Sequence, residues 1–182
     1  MTDSANRASD ANNGDPAIME LLADPSNIED VARAHWLLGC EAERRCDWED
    51  AVEHYLRVVA LAPADRMVCY WGHNNLAYSL LLLGRFAEAE LHCQAAIKID
   101  QRRHNAHKNL GLAYEGLGRP VDAAASFLDA TFRCSSDERA WLHLQKLLTK
   151  YPDLLAEEHE LAESMEVLRQ WYQENGGVPA LN

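Results

Sequence analysis

The sequence predicts an all-α protein made of stacked helix pairs, and three observations carry that prediction. The first is an internal repeat. Segments beginning at Ala34, Gly72 and Ala106 superimpose, with His35, His73 and His107 in register and Trp141 following one repeat later. Leu38, Leu76, Leu110 and Leu144 keep the same step, as do Ala51, Ala89 and Ala123, at spacings of 38 and then 34 residues. The second is helical periodicity inside each copy: Leu76, Leu80 and Leu83, or Val52, Tyr55, Val58 and Val59, fall on one stripe. The third is punctuation. Cys46-Asp47, Gly84 and Gly118 divide each copy into two helices, and Pro63, Pro120 and Pro152 sit at element ends or starts.

Taken in order, residues 1–16 are polar and lack the apolar run of a secretory leader, so they are expected to be a disordered tail on an intracellular, cytoplasmic protein. Residues 17–31 read as an N-terminal helical extension. Ser26-x-x-Glu29 and Ser135-x-x-Glu138 have the form of capping boxes and predict helix starts near 27 and 136. Gly39, Ala77 and Gly111, with Ala51, Ala89 and Ala123, are small residues placed where paired helices cross closely. Residues 138–149 begin like a fourth copy through Trp141, Leu144 and Leu148, but no matching second helix follows. From Pro152 an acidic helical segment leads to Gly176-Gly177, read as one longer capping helix that closes the apolar end of the stack. Residues 177–182 are a tail.

This pattern of a small residue, an aromatic and an alanine in a helix–turn–helix of 34 residues resembles the tetratricopeptide repeat (TPR). The resemblance covers somewhat over half of the chain, in repeats at 32–65, 70–103 and 104–137, with 138–176 as a degenerate fourth repeat and capping helices. Four additional residues, Arg66 to Cys69, are expected to lengthen the helix that follows them. The resemblance implies an all-α solenoid of three repeats.

Charge narrows the function. The chain has 17 Lys and Arg against 29 Asp and Glu, a formal charge of −12. Residues 1–30 and 150–182 hold nearly all of that excess, leaving the repeats close to neutral. Such a balance disfavours nucleic-acid binding, which needs a basic surface to neutralise phosphates. No apolar run reaches the ~18 residues of a membrane span. Five cysteines, odd in number and without a CxxC, argue against a disulfide framework.

In a TPR array the first helix of each repeat lines a concave groove. The resemblance therefore places Arg33, Trp36, Cys40 and Arg44 there from the first repeat. Trp71, Asn74, Asn75, Tyr78 and Leu82 come from the second, and Asn105, Lys108, Asn109 and Leu112 from the third. Arg139, His143 and Lys146 join them if the next helix continues the stack. An acidic protein would then present a mildly basic groove. Asn75 and Asn109 are expected to stack as a two-rung amide ladder that holds a peptide backbone. Lys108 and Arg139 are the expected partners of a carboxylate, and Trp36, Trp71 and Tyr78 of an apolar side chain. The clamp by which some TPR co-chaperones hold a C-terminal Glu-Glu-Val-Asp is matched only in part. Trp36, Cys40, Asn105 and Asn109 stand where that clamp has other residues, while Asn75 agrees.

Chemistry finds little support. His35, His73 and His107 lie on equivalent positions about 10 Å apart by helix spacing, too far to share an ion, and are expected in the core. Cys69 with His73, and His104 with His107, give only two ligands each. No phosphate loop, HExxH or GxSxG is present. The expectation is a non-catalytic, cofactor-free and metal-free adaptor or chaperone-like scaffold that binds an acidic or C-terminal peptide. Alternatives are a scaffold that self-assembles through its acidic C-terminal helix, and a chaperone of the type III secretion kind.

Overall fold

A computed structural model describes residues 15–175, which form ten α-helices and no strand. The helices are α1 (Pro16–Leu21), α2 (Ile28–Arg44), α3 (Trp48–Leu61), α4 (Arg66–Leu82), α5 (Phe86–Ile99), α6 (His104–Gly116), α7 (Pro120–Arg133), α8 (Glu138–Lys150), α9 (Leu154–Glu157) and α10 (His159–Asn175). No helix among the described residues is long and apolar enough to cross a membrane. The chain divides into two compact units, one ending at Gly72 and the other beginning at His73, so that α4 contributes to both.

The tails expected at 1–16 and 177–182 lie outside the described residues, except that Asp15 caps α1 and Pro16 opens it, a proline start that forfeits no bond. The expected extension is shorter than 17–31: α1 ends at Leu21, and residues 28–31 are the first turn of α2. Neither serine capping box forms. Asn27 caps α2 by accepting from the Asp30 N–H, while the Ser26 hydroxyl donates to Asp24. Glu29 reaches forward instead, accepting from the Ala64 and Asp65 N–H groups ahead of α4. Asp137, rather than Ser135, caps α8 through the Arg139 N–H. In both cases the residue at the capping position is not the serine but Asn27 or Asp137, an equally good acceptor that stands closer to the helix. The C-terminal segment also breaks in two, because Glu158 is extended between α9 and α10.

Within the first unit α2 packs on α3, and Ala32, Val58 and Val68 form a buried cluster covered by Trp36 and Leu61. Gly39 lies against the Tyr55 ring, where a Cβ would come within 2.5 Å of it. The second unit repeats this crossing. Ala77, Cys93 and Leu110 are buried together, and Gly111 lies 2.5 Å, measured from an added Cβ, from the Phe127 ring. Phe127 belongs to the largest core cluster, with Leu128, Trp141, Leu144 and Leu147. The apolar stripe of α10, Leu161, Met165, Leu168 and Tyr172, is buried in that same cluster.

The turns between paired helices share one device. The Arg85 N–H bonds back to the Leu80 carbonyl and the Arg119 N–H to the Tyr114 carbonyl, with Gly84 and Gly118 at φ +71° just before them. This is the Schellman ending, which puts a residue in the left-handed region. The first unit makes the same bond, Asp47 N–H to the Ala42 carbonyl, with Cys46 at φ 58° where the others have glycine. A side chain costs about 1–2 kcal/mol there. Cys46→Gly is expected to raise stability by about 1 kcal/mol, and Gly118→Ala to lower it by a similar amount. Urea denaturation of each variant checks both signs.

Candidate functional site

The face expected to bind peptide is described unit by unit. In the first unit, Trp36 is not an open anchor: it is half-buried against Ala32, Val58 and Val68, and its indole N–H is buried with no hydrogen-bond partner among the described residues. Arg33 pairs with Asp30 and Asp65, and exposed Arg44 with Glu41. Trp71 is half-buried and meets Tyr70 edge-on. Cys40 accepts a hydrogen bond from the Tyr55 hydroxyl. These contacts spend most of this unit's expected binding groups on its own packing.

The second unit brings together the remainder. The asparagines do not stack as Asn75 on Asn109. Asn109, only 2% exposed, donates from its amide to Asn74 Oδ1 at 3.3 Å, and Asn74 donates onward to Asn75 Oδ1 at 3.1 Å. Asn74 is thus the centre of a three-amide relay joining α4 to α6. Sequence spacing missed it because Asn74 precedes the repeat-equivalent position by one residue. The far end of the relay is unfinished: Asn109 Oδ1 is buried with no donor among the described residues. An amide with a long bond and an orphan oxygen surrenders little by turning toward a ligand.

Arg139 is exposed but already paired. Its guanidinium is bidentate to Asp137 at 2.7 and 2.8 Å, and Asp137 also meets His104 Nε2 at 2.8 Å. These partners, the Arg139 hydrogen bond first, hold the Asp137 carboxyl well below the usual carboxylate range. Lys108 is different. Its residue is 8% exposed, no described acid lies within ion-pair distance, and burial lowers its ammonium's pKa, with Arg139 nearby adding to the effect and Asp137 opposing it. Half-buried His143 stacks on Phe127 with centroids 5.4 Å apart and 16° between planes. Burial, then the charges of Lys108 and Lys146, hold its pKa below the ordinary value. A field that suppresses protonation of a neighbouring imidazole is a positive one. Lys146 and Tyr78 are exposed, and Asn105 is half-buried.

Leu112 is partly core, yet with Leu82 it also lines a cleft of about 380 Å³ completed by Leu81, Phe86, Glu115, Gly116 and Lys150. Leu82 is 46% exposed in that cleft. Phe86 opens α5 and so lay outside the first-helix positions considered from sequence. Gly116 makes room for it, since a Cβ there would meet the Phe86 ring at 2.4 Å.

The sequence matches no protein-family profile and no curated protein. Solved structures are similar. The TPR domain of Arabidopsis OM64 is 27% identical over 68% of this chain and 98% of that one, with a TM-score of 0.61. The second TPR domain of human RPAP3, solved with the HSP70 peptide SGPTIEEVD, is 24% identical over 66% of this chain and 97% of its own, at TM-score 0.60. MamA from Desulfovibrio magneticus RS-1 is 18% identical and covers 84% of both chains, at TM-score 0.63. The helix pairs, the small residues at their crossings and these likenesses agree that the chain has the tetratricopeptide-repeat fold.

Proposed function

We propose that the chain is a non-catalytic adaptor whose second unit binds an acidic or C-terminal segment of another protein across α4, α6 and α8. The single observation that carries this reading is Lys108, a lysine buried over most of its surface that forms no ion pair with any acid among the described residues, Asp137 acting on it only from a distance. An unpaired buried charge is costly to keep, so its natural complement is a carboxylate that arrives with a ligand. Lys146 stands on the same basic face through its effect on His143. Asn75, and Asn109 once turned from Asn74, offer amide donors and acceptors to the ligand's backbone. The Leu82–Phe86–Leu112 cleft takes an apolar side chain, the part first given to the tryptophans. Similarity to a TPR domain solved with an acidic C-terminal peptide supports this mode. The mechanism is equilibrium binding, in which a preformed site limits the ordering cost of association.

The test uses an acidic peptide selected from a random library and labelled for fluorescence anisotropy. Asn75→Ala with Lys146→Ala is expected to weaken its binding to the full chain by about tenfold or more, with the melting temperature little changed. Unchanged affinity would remove this face from the account.

A further inference from the structure

The second unit also contains a side-chain pair that peptide binding does not use. His73 on α4 and His92 on α5 meet with their Nδ1 atoms 3.1 Å apart and ring centroids 5.3 Å apart. The first unit holds a second copy in its own helix pair: His35 on α2 and His54 on α3, with Nδ1 atoms at 3.2 Å and centroids at 5.4 Å. Both pairs show the same 34° between ring planes. At the corresponding position the third repeat has Ser126, and there His107 turns instead to the Gln101 carbonyl and Asp129. A neutral imidazole has one N–H and one acceptor nitrogen, so each pair closes only when one ring donates and the other accepts. Loading both rings with protons would set two N–H groups and two positive charges against each other at about 3 Å.

We infer that the His73–His92 contact is an acid-labile clasp: neutral, it holds α4 to α5, and protonation opens that helix pair. The surroundings favour the neutral form. Burial, and then His92, push His73 down to about 4, and burial also lowers His92. The acid that faces the pair is Glu88, whose two oxygens are both taken by Arg85 at 2.6 and 2.7 Å. At the other pair Asp50 lies 3.6 Å from His54 Nε2, and Glu53 and Arg57 also act on His35. Arg57 opposes and Glu53 favours a charge on His35, but Asp50 faces His54 within ion-pair distance, without an equivalent contact at the other pair among the described residues, so that copy is the weaker clasp.

The sign follows from linkage. His73 has a lower pKa folded than its ordinary 6.5, so between about 6.5 and 4 the unfolded chain binds more protons. The contribution is therefore whole above that window and is lost as pH falls through it. Aspartates with lowered pKa, such as Asp129, begin from an ordinary 3.8 and act mainly below that window. The inference does not depend on the peptide site.

Urea unfolding of the full chain at pH 7.5 and pH 5.0 tests it against His92→Gln, whose amide oxygen can accept from a protonated His73. The folding equilibrium constant of the unsubstituted chain is expected to fall about tenfold further than that of the variant, after allowance for partial exposure. Equal falls would overturn the clasp. Should the variant fail to fold, NMR titration of the unsubstituted chain decides: His73 remains neutral down to about pH 5 if the clasp is right, and a midpoint between about 6 and 7 refutes it.

Discussion

Phe127→Ala is expected to lower stability by about 3–5 kcal/mol, the largest loss of any single truncation considered for this chain. The side chain is fully buried and belongs to the core cluster that includes Trp141 and Leu144. One side of its ring fills the space left by Gly111 on α6, and His143 of α8 stacks on it. Truncation therefore leaves a cavity bordered by three helices, which the neighbouring backbones cannot close together. The same contact predicts a size complementarity. Gly111→Ala drives a Cβ into the ring and is expected to cost about 1–3 kcal/mol, less what alanine returns in helix propensity. In a Phe127→Leu background that penalty should shrink, giving a favourable coupling of about 1 kcal/mol in a double-mutant cycle. Denaturant unfolding of the four proteins measures it, and simple additivity would show that the crossing is not limited by this contact.

Lys108→Met is expected to move stability and binding in opposite directions. Methionine keeps the length of the aliphatic stem and removes the ammonium of a residue that is 8% exposed and makes no ion pair among the described residues. A gain of about 1 kcal/mol in folding is expected, because no buried partner is left uncompensated by the change. Affinity for an acidic peptide should fall about 10- to 100-fold, the loss of one charge-assisted contact in a partly shielded site. His143 reports the same field: its pKa is lowered by burial and by Lys108, so removing Lys108 should let it titrate closer to its ordinary value. A residue retained only for packing would show none of this opposition, whereas a functional one commonly does. Thermal unfolding, peptide titration and imidazole NMR of one variant supply the three readings.

What sequence made legible follows from what repeats. Three copies fixed the helix pairs, and the small residues marked the crossings because close packing leaves room for nothing larger; Gly39 against Tyr55 and Gly111 against Phe127 show this directly. The capping boxes failed because the motif was satisfied in letters while a nearer acceptor, Asn27 or Asp137, took the backbone donor. Site residues were harder, since position on a helix face does not reveal who pairs with whom. Arg139 and Lys108 looked alike in sequence, yet the first is paired with Asp137 two residues before it and the second makes no ion pair among the described residues. The bond from Asn109 to Asn74 and the histidine pairs were overlooked for a related reason. Attention to equivalent positions among copies hides contacts within a copy, although the recurrence of His35 with His54 and His73 with His92, 19 residues apart, was there to be seen.

The most direct test of the central claim is selection of a random peptide library, displayed with free C-termini, against the full chain and in parallel against Lys108→Met. The account predicts an acidic consensus with an apolar residue from the unsubstituted chain, and loss of that consensus from the variant while its fold persists. Enrichment of the same peptides by both proteins, or of peptides without acidic residues, would contradict a peptide site built around Lys108.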